Sequence, residues 1–176
     1  MIALAYWEGG HMPSQAETAI KASTSGGTVI GQLGFGYLAD VVGRKKIYGL
    51  ELMVIIVSCL AQSLASDSPS MSIVGVIIFW RVIMGLGIGG DYPLSSIITS
   101  EFATTKWRGA MMGAVFAMQG FGQFGAAIVS LIVTVAFKSK LGVPVNKCEI
   151  GGCREAVDMM WRLVIGVGAI PACLGL

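Results

Sequence analysis

Histidine, charged residues and clustered cysteines are all scarce in this sequence. The chain has 1 histidine, His11, and 4 cysteines among its 176 residues. No group of cysteine and histidine residues has the spacing of a zinc site, so we expect neither a metal centre nor another cofactor. A single histidine, predicted to lie in a loop, leaves no nucleophile and base pair for catalysis. The sequence therefore does not predict an enzyme.

The shortage of charge identifies the solvent in which the chain folds. Only 12% of the residues are charged, 55% are hydrophobic and the mean hydropathy is +0.77, whereas a typical soluble domain is about 25% charged. The net charge of +2 and the scattered basic residues exclude a nucleic-acid partner. The first residues, "MIALAYWEGGH", lack the basic start and full apolar core of a signal peptide. The composition predicts an integral membrane protein in a lipid bilayer.

Apolar runs of the length that a membrane helix needs recur along the chain. A crossing takes about 20 mostly apolar residues, and the runs with this character are residues 21–40, 47–65, 73–100 and 109–137. A fifth run, residues 161–176, stops before it completes a crossing, and the apolar run at the N-terminus is too short for one. We expect an all-α membrane protein with about five to six transmembrane helices, truncated at both ends.

The connections between the runs predict how the chain is oriented across the membrane. The segments "DVVGRKK" and "EFATTKWRG" are short and basic, and basic loops tend to stay in the cytoplasm. Residues 138–160 then form a long polar loop on the outer side. Oxidising conditions there permit a disulfide between Cys148 and Cys153, although so small a ring gains little loop-closure entropy. Both states of this cysteine pair remain open.

The stretch "GLGIGGDYP", Gly85 to Pro93, contains a G-x-G-x-x-G pattern. A dinucleotide-binding loop with this pattern follows a strand and opens a helix, whereas here the pattern lies within an apolar run. Small residues one turn apart let membrane helices approach closely. We therefore interpret Gly85 and Gly89, together with Gly109 and Gly113, as helix-packing positions.

Asp91 is the first candidate for a functional side chain. A carboxylate in the hydrocarbon region costs at least about 2.5 kcal/mol on insertion scales, so it is expected to face a polar interior. Arg81 in the same run lies about 15 Å away along a helix, too far for a direct ion pair. Pro93 removes a backbone donor, which predicts a kink near Asp91. The alternative is that Asp91 pairs with a buried cation elsewhere.

Polar side chains from three runs share one predicted depth. At 1.5 Å per residue, Tyr92, Gln119 and Gln32 lie about 12–15 Å from the cytoplasmic ends of their helices. Polar groups that meet at the midplane are typical of a substrate site between helices. For Gln32 we favour an ordinary interhelical hydrogen bond instead.

Two motifs carry a family resemblance. "GYLADVVGRKK", residues 36–46, resembles the loop between the second and third helices of the major facilitator superfamily. "GGDYPLSSIITSE", residues 89–101, is similar to the inorganic phosphate:proton symporters of fungi and plants within that superfamily. The resemblance implies a transporter of two six-helix halves that works by alternating access. Twelve crossings need more than about 240 residues, so residues 1–176 would be a partial N-terminal six-helix domain without its C-terminal half.

The resemblance also assigns roles to particular residues. It implies that Tyr92 and Gln119 bind phosphate and that Asp91 couples transport to protons. It further implies a cytoplasmic gating network of charged residues, namely Asp40, Arg44, Glu101 and Arg108. For the basic loop, simple topological anchoring is a compatible alternative.

The expected function is proton-coupled transport of inorganic phosphate, with the plasma membrane as its location. Two alternatives remain open. One is a sugar or organic-ion porter of the same superfamily, and the other is a membrane subunit that packs against a partner without transporting anything.

Overall fold

The computed structural model describes Tyr6 and residues 12–43, 47–65, 72–138 and 153–175. These residues are helical throughout, apart from short connections, and contain no strand. The helices are α1 Ser14–Val42, α2 Leu50–Leu64, α3 Ile73–Phe102, α4 Arg108–Ala136, α5 Cys153–Val167 and α6 Ala169–Gly175. The prediction of an all-α membrane fold is confirmed.

Three stretches are long and apolar enough to cross a membrane, judged by length and composition. They are Ile73–Phe102, Arg108–Ala136 and Glu155–Gly175. Helix α2 is apolar but only 15 residues long. The chain is accordingly a multi-pass integral membrane protein.

Helix α1 begins earlier than the apolar run that predicted it. Its first turns contain Glu17 and Lys21, whose side chains form an exposed ion pair with an N···O distance of 2.6 Å. The hydrogen bond from Lys21 holds the pKa of the Glu17 carboxyl below its ordinary value. Such exposed pairs add little stability, but they let a helix extend past the apolar segment.

The predicted loop at residues 138–160 is wrong at its C-terminal end, because α5 already begins at Cys153. The first two turns of α5, "CREAVDMM", are too polar for a hydropathy criterion to detect. Asp158, in the second of these turns, accepts a hydrogen bond from Tyr6, which is distant in sequence, as described below. Cys153 is buried and disulfide-bonded, as the predicted disulfide requires, and Cys148 lies outside the described residues.

Glycines let α1 and α3 pack with their backbones in contact. A Cβ added to Gly31 would lie 2.8 Å from the Cα of Leu86, and one added to Gly89 would lie 2.9 Å from the backbone nitrogen of Gln32. Gly85 faces the backbone of Thr28 in the same way, at 3.0 Å. The packing role predicted for Gly85 and Gly89 is therefore confirmed, and the G-x-G-x-x-G pattern is part of a helix.

The same role stays a prediction for Gly109 and Gly113, which have no packing partner within the described part of the chain. A Cβ on either residue would meet no atom within 4 Å. Helix α4, which carries both, has no buried residue. It contacts the bundle through α3 and α5, and most of its surface is left open.

A polar cluster joins three segments of the chain that are distant in sequence. We call it the clasp and define it as Tyr6, Ser63, Asp158, Trp161 and Arg162. The Asp158 carboxylate accepts hydrogen bonds from Tyr6 Oη and Trp161 Nε1, both at 2.8 Å, and from Arg162 Nε at 2.7 Å. Arg162 also donates to Tyr6 Oη and to the carbonyl oxygen of Ser63, both at 3.2 Å. The clasp ties the start of α5 to the end of α2 and to the segment before α1.

Candidate functional site

A cavity of about 390 Å³ lies between α2, α3 and α4. Helix α2 contributes one side chain to its wall, and α3 and α4 contribute four each. The lining residues are Ile55 from α2, Ile88, Asp91, Tyr92 and Ser95 from α3, and Val115, Phe116, Met118 and Gln119 from α4. Most of this wall is apolar, so its few polar groups decide what the cavity can bind.

Helix α3 places three of those polar groups on one face. Asp91 and Ser95 are one turn apart, and Tyr92 adjoins Asp91, so all three project toward the same side of the helix. Each is partly buried. Pro93 lies within α3, which is helical from Ile73 to Phe102, and the kink expected near Asp91 stays a prediction.

The fourth polar group comes from α4. Gln119 lines the cavity together with Tyr92, so the structure brings together two side chains that the depth calculation placed at the same level. Gln32 has an exposed side chain and is not part of the cavity wall. Depth alone could not separate these cases, because it does not specify the direction in which a side chain points around its helix.

The residues expected to form the cytoplasmic gate lie at helix ends. Asp40 is in the last turn of α1 and Glu101 in the last turn of α3, and both are exposed. Arg108 starts α4 and donates from Nε to the carbonyl oxygen of Ser100 at 2.9 Å, which links α4 to the end of α3. Arg44 lies outside the described residues. The gating role of this group remains a prediction.

Arg81 lies away from the cavity wall. Its side chain is partly buried, and one guanidinium nitrogen donates to the carbonyl oxygen of Ile20 at 3.4 Å. Its Nε is buried without a hydrogen-bond partner among the described residues. Arg81 thus contacts α1 rather than Asp91, in keeping with the distance expected along α3.

Sequence reasoning missed a second buried carboxyl group, that of Glu51 in α2. Its side chain is fully buried, with an exposed fraction of 0%. One oxygen, Oε1, accepts a hydrogen bond from the Gly49 amide at 3.1 Å, and Oε2 has no partner among the described residues. The Glu51 carbonyl oxygen packs on Gly87, one turn before Asp91. The signal was available, because Glu51 is an acid within an apolar run, as Asp91 is.

Comparison with known proteins relates this sequence to a family. Residues 8–176 match the family described as sugar (and other) transporter. The chain is 65% identical over 178 residues to a repressible high-affinity phosphate permease of Neurospora crassa. It is 54% identical over 177 residues to the inorganic phosphate transporter PHO84 of Saccharomyces cerevisiae, and 44% identical over 166 residues to a probable inorganic phosphate transporter 1-4 of Oryza sativa subsp. japonica.

These alignments cover nearly all of this chain but a minor part of each relative. The alignment with the Neurospora permease covers 100% of this chain and 31% of the relative. The corresponding shares are 99% and 30% for the Saccharomyces transporter, and 94% and 31% for the Oryza transporter. The chain thus spans about a third of the length of the curated relatives that it matches. Because the family match extends over most of the sequence, the chain belongs to the sugar (and other) transporter family of the major facilitator superfamily.

Proposed function

We propose that this chain is part of a proton-coupled carrier of inorganic phosphate that works by alternating access. The observation that carries the proposal is the cavity that Asp91, Tyr92 and Gln119 line together. The names of the relatives support phosphate as the substrate, since all three relatives are phosphate permeases or transporters.

The polar groups of the cavity have the chemistry that this function needs. The Tyr92 hydroxyl and the Gln119 amide can donate hydrogen bonds to phosphate oxygens without adding a fixed charge. Asp91 can take up a proton, because an environment of low polarity favours the neutral form of a carboxyl group. Tyr92 and Gln119 therefore bind phosphate in this proposal, and Asp91 carries the coupled proton.

The remaining parts of the carrier follow from the same proposal. The charged residues at the cytoplasmic helix ends close that side of the cavity; they are Asp40, Arg44, Glu101 and Arg108. A C-terminal half supplies the opposite wall of the site and covers the open surface of α4. The carrier lies in the plasma membrane and moves phosphate without altering it chemically.

The test separates proton coupling from phosphate binding in the intact carrier reconstituted into liposomes. Asp91→Asn is expected to retain phosphate/phosphate exchange but to lose accumulation driven by a pH gradient. Tyr92→Phe and Gln119→Ala are each expected to weaken phosphate binding by about 0.5–1.5 kcal/mol, the contribution of one neutral hydrogen bond.

Gln123→Ala is the matched control, because Gln123 is an exposed glutamine one turn further along α4 and is absent from the cavity wall. It is expected to bind phosphate normally. Accumulation by Asp91→Asn with an unaltered pH dependence would disprove the proton role. Normal phosphate affinity in both Tyr92→Phe and Gln119→Ala would place the site elsewhere.

A further inference from the structure

The hydrogen-bonding capacity of the cavity is divided between donors and acceptors. Its polar side chains are Asp91, Tyr92, Ser95 and Gln119, and no lysine or arginine is among the described residues that line it. An anion in this cavity therefore meets no compensating cation from this part of the chain. The cavity therefore selects an anion by hydrogen bonding, that is, by how the oxygens and protons of the anion pair with these four groups.

The Ser95 hydroxyl presents lone pairs to the cavity rather than a proton. Its Oγ donates to the carbonyl oxygen of Asp91 at 2.7 Å, and the carbonyl oxygen of Tyr92 is next nearest at 3.3 Å. A hydroxyl group has one proton and two acceptor lone pairs. In this conformation the proton of Ser95 is directed to the backbone of α3, which leaves the lone pairs of Oγ to accept a hydrogen bond from a ligand.

Ser95 adjoins a second acceptor on the same face of α3. Before it takes up the coupled proton, the ionised carboxylate of Asp91 also accepts hydrogen bonds and donates none. A ligand that offers only lone pairs to this face leaves both acceptors unpaired, and an unpaired buried polar group costs more than a typical hydrogen bond gains. A ligand that carries a hydroxyl group satisfies them.

We propose that Ser95 is a specificity-determining residue that selects an oxyanion bearing its own proton. This inference rests on the proposed function, and it names the form of phosphate that the site prefers. Inorganic phosphate keeps at least one hydroxyl group at neutral pH, whereas sulfate of nearly the same size and shape has none. The P–OH group of phosphate donates a hydrogen bond to Ser95 Oγ, and other phosphate oxygens accept hydrogen bonds from Tyr92 and Gln119. Sulfate has no hydroxyl group and cannot donate the hydrogen bond to Ser95.

The neighbouring serine provides a matched control. Ser96 Oγ donates to the carbonyl oxygen of Pro93 at 2.9 Å, so it makes the same kind of bond to its own helix beside the same proline. Ser96 does not line the cavity. Replacing either serine by alanine removes a bond to the backbone of α3, but only the change at Ser95 removes an acceptor that faces the ligand.

The experiment measures binding of inorganic phosphate to the intact carrier and its competition by sulfate at neutral pH. Ser95→Ala is expected to weaken phosphate binding about two- to tenfold, the effect of one neutral hydrogen bond. Sulfate affinity is not expected to fall, because the variant removes an acceptor that sulfate leaves unpaired. The preference for phosphate over sulfate therefore falls by at least the same factor. Ser95→Thr, which keeps the hydroxyl group, and Ser96→Ala are both expected to retain the original preference.

Two results would overturn the inference while leaving the proposed function intact. One is an unchanged phosphate-to-sulfate preference in Ser95→Ala. The other is an equal loss of preference in Ser95→Ala and Ser96→Ala, which would assign the effect to the helix backbone. Failure of the unmodified carrier to bind phosphate would instead refute the proposed function itself.

Discussion

Replacing Gly31 by alanine tests whether direct backbone contact holds α1 against α3. The added Cβ would lie 2.8 Å from the Cα of Leu86 and 2.9 Å from its carbonyl carbon. Carbon atoms pack at about 3.5–4.0 Å, so the two helices would have to separate by roughly 1 Å. Both obstructing atoms belong to the backbone, so no change of side-chain rotamer relieves the overlap.

Two opposing effects determine how much Gly31→Ala changes the free energy of unfolding. Replacing glycine by alanine inside a helix is favourable by up to about 1 kcal/mol, because alanine has the higher helix propensity. Overpacking a close contact costs about 1–3 kcal/mol, and the rigid backbone of α3 points to the upper end of that range. A gap of about 1 Å would also weaken the dispersion contacts along the rest of the α1–α3 interface. We expect Gly31→Ala to lower the free energy of unfolding by about 2 kcal/mol.

Gly34 provides the control on the same helix. A Cβ there meets no atom within 4 Å, so only the helix propensity changes, and Gly34→Ala is expected to be neutral or more stable by up to about 1 kcal/mol. Thermal unfolding of the intact protein in detergent should give a lower Tm for Gly31→Ala than for Gly34→Ala. Equal midpoints for the two variants would refute the argument that the backbones of α1 and α3 are in contact.

Two further predictions concern the clasp and the gate. Tyr6→Phe removes the hydroxyl group that donates to Asp158 and accepts from Arg162, but it keeps the ring against Trp161, at a centroid distance of 6.3 Å. Hydrogen bonds to charged groups contribute about 1.5–3 kcal/mol, so we expect a lower Tm in detergent, and an unchanged Tm would show that the clasp adds nothing. If Asp40 helps to close the cytoplasmic side, Asp40→Asn should shift the intact carrier toward its inward-open state. Faster labelling, from the cytoplasmic side, of cysteines placed near the midplane would show this shift, and unchanged labelling would count against the gate.

The sequence by itself determined the helical class and the approximate depth of the polar groups. Hydropathy is a local property, because each membrane helix must satisfy its own backbone and present apolar side chains to lipid. The rise of an α-helix is constant, so counting residues placed Tyr92 and Gln119 at a common level. Asp91 was recognisable because a carboxylate within an apolar run is costly wherever its helix packs.

Only the tertiary structure decided which of these groups share a cavity. Tyr92 and Gln119 line it and Gln32 does not, because the orientation of a side chain depends on how its helix rotates against neighbours that are distant in sequence. The same dependence separates Gly31, which packs against α3, from Gly34, which faces open space. Asp158 is accommodated near the start of α5 because it accepts a hydrogen bond from Tyr6, a residue distant in sequence that only the fold brings there.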